Sequence, residues 1–428
     1  MHTLQQLQTG ELKGIKRLQL SCGLMAFPEE IYSLADSLEI LDLSGNSLSQ
    51  LPNDLQRFTQ LKILFLANNN FTEFPGTLSN IPSLTMIGFK SNKISFVPEN
   101  AFPPHLRWLI LTDNQIKKLP VSIGGCIKLQ KCALAGNLLE ELPAEMAACT
   151  NLELLRISAN NIKVLPEWLF SLPRLSWIAY SGNPCSHEVA LSNELNEMDW
   201  MEFKIQQQLG EGASGFISQA QWITQQKSVA VKVFKGAVTS DGLPEDEMNT
   251  CLAAGSHDNL VKVLGRVSNH PEQKQALVME LIPPNYRNLG GPPSLDTCSR
   301  DVFPEGTIFS LSEVLEIATG VASLCVHLHE RGIMHGDLYA HNTLVNDAAH
   351  ALLGDFGAAS FYNLNSHMAP ANERIEVRAF GCLLEDLLNH MKENHPALLQ
   401  LKEECMQEKT ENRPIFADVF KRLRNFTQ

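Results

Sequence analysis

The chain has 428 residues, of which 44% are hydrophobic and 19% charged, and its formal net charge is −13. Single domains usually hold about 100 to 200 residues, so this length implies two or three, with enough apolar side chain for large cores and against wholesale disorder. An acidic balance with no Lys or Arg run argues against nucleic acid or anionic membrane as the main partner, since both need a positive footprint.

The opening MHTLQQLQTGELKG has no apolar core of the signal-peptide kind, and nowhere do 18 apolar residues run together, so neither a signal peptide nor a membrane span is expected. Ten cysteines are scattered without CxxC pairs, which fits free thiols in a reducing compartment and a cytoplasmic location.

A fixed period then runs through LEILDLSGNSL, LKILFLANNNF, LTMIGFKSNKI, LRWLILTDNQI, LQKCALAGNLL, LELLRISANNI and LSWIAYSGNPC. The asparagines fall at Asn46, Asn69, Asn92, Asn114, Asn137, Asn160 and Asn183, in steps of 23, 23, 22, 23, 23 and 23. A degenerate copy, IKRLQLSCG, begins at Ile15 with Gly23 in the asparagine place and serves as part of an N-terminal cap. Each unit supplies one short strand whose leucines point inward and a turn whose asparagine amide bonds backbone inside the stack. Recurrent Leu-Pro steps, as at Leu51-Pro52 and Leu119-Pro120, turn the chain toward the convex side. One unit cannot bury itself, so stacking makes the core. The pattern resembles intracellular leucine-rich repeat domains, which implies a repeat solenoid over residues 1–185 and a binding surface without chemistry of its own.

Period-two alternation points the third and fifth positions of each strand outward onto the concave face. Ile63, Phe65, Met86, Trp108, Ile110, Leu154 and Trp177 fall there, and a contiguous apolar strip with two tryptophans is expected to bind a protein substrate or regulator.

After Asn183-Pro184-Cys185 the repeats stop, and SHEVALSNELNEMDW reads as a polar, partly helical linker over 186–202. Strands are expected from Phe203. The motifs LGEGASGFI (Leu209–Ile217), VAVK (Val229–Lys232), HGDLYAHN (His335–Asn342) and DFG (Asp355–Gly357) follow in that order. A lone GxGxxG is weak, but here strands continue after Gly215 where a dinucleotide fold would place a helix.

Over about 203–428 the chain resembles the protein kinase family, with soluble, non-receptor leucine-rich repeat kinases of bacterial type nearest in pattern. The resemblance implies a bilobal α+β fold after the repeats, an N-lobe at about 203–280 and a C-lobe at about 283–428. It implies ATP and Mg2+, with Gly210, Gly212 and Gly215 covering phosphates, Lys232 gripping them and Glu247 or Glu245 pairing with Lys232. Ile217, Ala230 and Leu344 would enclose adenine, with Met279 as gatekeeper and the backbone of Glu280 and Ile282 facing the base. Asp337 would be the catalytic carboxylate, and Asn342 and Asp355 the metal ligands.

Departures from the family pattern are part of the reading. Gly336 stands where an arginine usually precedes the catalytic aspartate, so switching by activation-segment phosphorylation is not expected. Tyr339 stands where serine/threonine kinases often carry lysine, and His341 is a candidate for the missing positive charge. Met368-Ala369-Pro370 ends a short activation segment, Glu373 is expected to pair with Arg413, and Glu376 to brace the catalytic loop. The expected activity is transfer of the γ-phosphoryl group to a protein hydroxyl, serine or threonine before tyrosine. A scaffold that has the fold without the transfer is the alternative, and a small-molecule kinase a third.

Overall fold

The computed structural model describes residues 2–186, 197–212, 214–235 and 238–426. They fall into two compact units, the first up to Leu172 with Asn183–Cys185, the second Pro173–Gly182 with Ser186 onward.

In the first unit a short helix, α1 (Leu4–Gln8), precedes strands β1 (Arg17–Gln19), β2 (Ile40–Asp42), β3 (Ile63–Phe65), β4 (Met86–Gly88), β5 (Trp108–Ile110), β6 (Lys131–Ala133) and β7 (Leu154–Arg156). Each pairs in parallel with the next, in register, residue for residue. Their central leucines and isoleucines are fully buried, each such side chain contributing about 1.5–3 kcal/mol over an exposed one.

The asparagines do the work their period implied. Asn114 takes the Ile94 amide on Oδ1 at 2.9 Å and donates from Nδ2 to the Phe89 and Leu111 carbonyls at 2.9 and 3.0 Å. Asn46, Asn69, Asn92, Asn137 and Asn160 are likewise buried against backbone. The residue before each takes the left-handed backbone, as at Gly45, Asn68 and Gly136. Short 3-10 helices on the other side start directly after Pro28, Pro75, Pro120, Pro143 and Pro166, each of which holds an extended backbone at the N-cap, where its fixed φ and missing N–H cost nothing.

The second unit begins with β8 (Trp177–Ala179) and, past 187–196, β9 (Glu197–Asp199). Most of the expected linker lies outside the described residues. Its end differs from a linker, because β9 joins β13 in parallel and buries Met198 with Phe203, Val229, Val231 and Val278. The six-stranded sheet runs β10-β11-β12-β14-β13-β9, using β10 (Phe203–Glu211), β11 (Gly215–Trp222), β12 (Lys227–Phe234), β13 (Val263–Ser268) and β14 (Ala276–Glu280), with α2 (Pro244–Ala254) beside it.

Beyond the sheet, β15 (Arg287–Asn288), α3 (Leu311–His329), β16 (Ile333–Met334), β17 (Thr343–Val345), β18 (Ala351–Leu353) and β19 (Ser360–Phe361) lead into α4 (Ala369–Asn389), α5 (Pro396–Cys405) and α6 (Phe416–Phe426). The α3 helix opens on a capping box between Ser310 and Glu313. It is long and apolar enough by length and composition to cross a membrane, but Val314, Ala318, Val321, Cys325 and Leu328 are buried in the core of this unit.

Candidate active site

Glycines shape the first wall of the site. The β10–β11 hairpin pairs Gly210 with Ile217 and Glu211 with Phe216. A Cβ on Gly215 would lie 2.6 Å from the Val233 carbonyl, so that glycine is required by the protein itself. At Gly210 and Gly212 a Cβ would meet nothing within 4 Å, so there the missing side chain leaves open room into which a ligand can approach backbone.

Lys232 sits mid-strand on β12, opposite Ile217 and Leu277. Its ammonium forms a buried ion pair with Glu247, the side chains being 10% and 3% exposed. Glu247 lies in the first turn of α2, and the structure brings it, rather than Glu245, to the lysine. Burial opposes the lysine's charge, but the carboxylates of Glu247 and Asp355 outweigh it and hold the ammonium above its ordinary pKa. Burying such a pair carries a desolvation cost that only close geometry and further hydrogen bonds offset.

The loop that carries Asp337 is tied down by several polar groups. Glu376, 1% exposed, takes the His335 amide at 3.0 Å and the Gly336 amide at 2.6 Å, and also faces His329 Nε2 at 2.8 Å. Burial works against its charge, but these partners prevail and hold the carboxyl below its ordinary pKa. His335, fully buried, accepts the Asp337 amide on Nδ1 at 3.3 Å, which makes Nε2 the protonated nitrogen, 3.0 Å from the Gly354 carbonyl. That ring links the loop to the residue before Asp355. Asn342 donates from Nδ2 to Asp337 Oδ2 at 2.7 Å and to its carbonyl at 3.1 Å, which fixes the carboxylate.

Asp355 takes a left-handed backbone, φ +54°, a conformation aspartate tolerates at a cost of about 1–3 kcal/mol. Its Oδ1 accepts the Gly357 amide at 3.3 Å, and a Cβ on Gly357 would lie 3.7 Å from Glu247 Oε2, so the DFG turn lies close to the Glu247 carboxylate. Among the described residues no group of three or more His, Cys, Asp or Glu forms a metal cluster. The Asp355 carboxylate and the Asn342 amide oxygen nevertheless suit a hard cation that takes its other ligands from phosphate and water.

His341 is held by an aspartate that no sequence motif marks. Its amide donates to Asp301 Oδ2 at 2.9 Å and its Nδ1 lies 2.7 Å from Asp301 Oδ1. Burial would lower its pKa, but Asp301, with Asp337 and Asp355 farther off, raises it.

Of the adenine wall, Ala230 is buried opposite Met279, while Ile217 and Leu344 are half-buried. The Glu280 amide donates to the Lys262 carbonyl at 2.9 Å, so what Glu280 has to offer a purine is its carbonyl. Ile282 lines, with Glu280, Pro283 and Tyr286, a cavity of about 330 Å3 that touches none of Lys232, Asp337 or Asp355.

Two expectations are corrected. Arg413 does not pair with Glu373. It donates to the carbonyls of Gln407, Arg374 and Pro173, while Glu373 accepts the Phe416 amide at 2.8 Å. The concave strip is not a contiguous exposed patch: Ile63 is 7%, Met86 2%, Leu154 4% and Trp177 1% exposed. In-register pairing sets Ile40, Ile63, Met86 and Trp108 side by side, so column neighbours shield one another. Phe65, Trp108 and Ile110 stay half-buried, and the Lys131 ammonium lies 4.5 Å from the Trp108 ring. Trp177 belongs to the second unit.

Comparison with known proteins matches residues 203–379 to the family described as protein tyrosine and serine/threonine kinase, and residues 36–94 to the leucine rich repeat. Megakaryocyte-associated tyrosine-protein kinase of Mus musculus is 29% identical over 223 residues, 48% of this chain and 40% of that one. Tyrosine-protein kinase Srms of Homo sapiens is 25% identical over 284 residues, 56% of this chain and 55% of that one. Cyclin-dependent kinase 11.1 of Caenorhabditis elegans is 27% identical over 164 residues, 38% of this chain and 22% of that one. A solved leucine-rich repeat protein of Leptospira interrogans is 23% identical with a TM-score of 0.37, covering 43% of this chain and 53% of that one. The chain thus carries a leucine-rich repeat region followed by a protein kinase domain, and the relatives it resembles are kinases.

Proposed function

We propose that this chain is an ATP- and magnesium-dependent protein kinase that transfers the γ-phosphoryl group to a protein hydroxyl, serine or threonine in preference to tyrosine. The observation that carries it is the convergence of the Lys232–Glu247 pair and Asp355 with an Asp337 carboxylate oriented by Asn342. Lys232 grips phosphate oxygens, and the Gly210–Gly215 hairpin covers them. Asp337 orients the acceptor hydroxyl and takes its proton as the oxygen bonds to phosphorus and ADP leaves. Magnesium, held by Asn342 and Asp355, would neutralise the charge that develops on the phosphate oxygens. Retention of all four polar groups favours this reading over a scaffold.

The repeats supply a surface of the kind that binds proteins, and a substrate or regulator is the partner we assign to it. The bacterial, non-receptor character that HGDLYAHN and LLGDFGAAS suggest belongs to the same proposal, as does a cytoplasmic location, for which ten free cysteines speak. The test is incubation of the purified protein with labelled ATP and magnesium, with the label mapped by mass spectrometry. Label on serine or threonine supports the proposal and label on tyrosine alone overturns the acceptor assignment. No transfer, together with no thermal shift on adding nucleotide, would replace it with the scaffold.

A further inference from the structure

Both chain neighbours of Asp337 are touched by one distant stretch, Pro173–Gly182, which the fold assigns to the same unit as the catalytic loop. On one side, a Cβ at Gly336 would lie 2.6 Å from the Ile178 carbonyl and 2.6 Å from the Ala358 carbonyl, and Gly336 has φ +73°. On the other side, Trp177 Nε1 donates to the Leu338 carbonyl at 3.0 Å. The Trp177 indole lies flat on Tyr339, ring centroids 4.3 Å apart and planes 9° off parallel, and Trp177 is 1% exposed.

We propose that Pro173–Gly182 is a built-in clamp on the catalytic loop and that Trp177 is a positioning residue for Asp337. Three features carry it. The clamp is itself anchored, since Arg378 donates to the Pro173 carbonyl at 3.1 Å and to Ser176 Oγ at 2.8 Å, and Arg413 to the same carbonyl at 2.9 Å. It also holds the segment after the DFG turn, because the Tyr180 amide donates to Ser360 Oγ and the Tyr180 hydroxyl to Asn372 Oδ1, both at 3.0 Å. Finally, it closes one side of the space at Gly336, where a side chain would meet the Ile178 carbonyl as well as the Ala358 carbonyl. An arginine at 336 able to read an activation-segment phosphate has no room beside these two carbonyls, and the clamp holds the loop without one. A catalytic group works only within a fraction of an ångström of its productive place, so a loop gripped on both sides of Asp337 is pre-organised without modification.

The catalytic part of this inference rests on the kinase reading; the clamp itself does not. In the full chain, Trp177→Ala and Trp177→Phe are compared with wild type for kcat, KM for ATP, melting temperature and amide hydrogen exchange across Gly336–His341. Trp177→Ala should lower kcat by about tenfold or more and speed exchange in that stretch, with KM for ATP within about twofold because Lys232 and the glycine hairpin are untouched. Trp177→Phe keeps a ring on Tyr339 but loses the N–H to Leu338, and should fall between. Unchanged kcat and exchange in Trp177→Ala would overturn the proposal, and so would a rise in KM for ATP matching the fall in kcat. If Trp177→Ala does not fold, Trp177→Phe decides by the same readings. A wild type without transfer sinks the kinase reading alone, and exchange then decides the clamp: faster supports it, unchanged overturns it.

Discussion

The proposed function gives Lys232, Asp337 and Asp355 three separable tasks, so their substitutions should fail in separable ways. Lys232→Met removes the phosphate grip and leaves Glu247 buried without its cation, so loss of transfer should come with some loss of stability. Asp337→Asn keeps the shape and removes the proton acceptor, and should lower kcat by about 10²–10⁴-fold with little change in melting. Asp355→Ala should abolish magnesium-dependent transfer, and full activity in that variant would refute the metal assignment. His341 gives a pH test. Its folded pKa is raised, so the pairing with Asp301 contributes fully below about pH 6.5, the ordinary imidazole value, and is lost as pH rises through the raised one. His341→Ala should therefore flatten the fall of stability and turnover above that pH. An identical profile in the variant would make His341 a structural residue only. The motif residues were legible in sequence because each sits in a short local pattern. Asp301 was not, since it lies 40 residues from His341 in a loop with no pattern at all.

At the scale of elements, the repeats were legible because one asparagine recurs at a near-constant step and a buried amide has to bond backbone wherever it falls. Asn114→Ala strips three or more hydrogen bonds from buried backbone and should destabilise the repeat unit by about 2–4 kcal/mol in urea unfolding, far more than an exposed asparagine would. Alternation along a strand tells which side chains leave the leucine core, but not how far in-register neighbours in the same column cover them, and the concave strip was misjudged for that reason. Strand β9 was missed because three residues, Glu197–Asp199, are too few to show a period. The segment between Asp355 and α4 is short, and Tyr180 holds it at Ser360 and holds the first turn of α4 at Asn372, so activity should survive phosphatase treatment. Complete inactivation, with the lost phosphate mapped between Asp355 and Met368, would contradict this.

At the scale of the molecule, the boundary between the two units does not fall where the repeat pattern ends. A fragment that begins at Pro173 keeps the clamp, whereas one that begins at Ser186 loses Trp177, Tyr180 and the Pro173 carbonyl that two arginines share. The longer fragment should melt higher by at least about 5 °C, and equal melting would show that the stretch adds nothing to the second unit. The repeat period puts the seam after Cys185, while packing follows partners 161 to 240 residues away in sequence.

The stretch Pro173–Gly182 also bears on how such a chain can change over generations. Genes that join ready-made modules usually break and rejoin at seams, where either side can be exchanged without harm to the other. Here the last repeat is spelled in one module's code but is spent on the other's chemistry, so a crossover at the apparent seam would deliver a catalytic domain lacking its own brace. The ten residues therefore carry a constraint set by the catalytic half, in which drift at Trp177 answers to the Tyr339 ring and the Leu338 carbonyl.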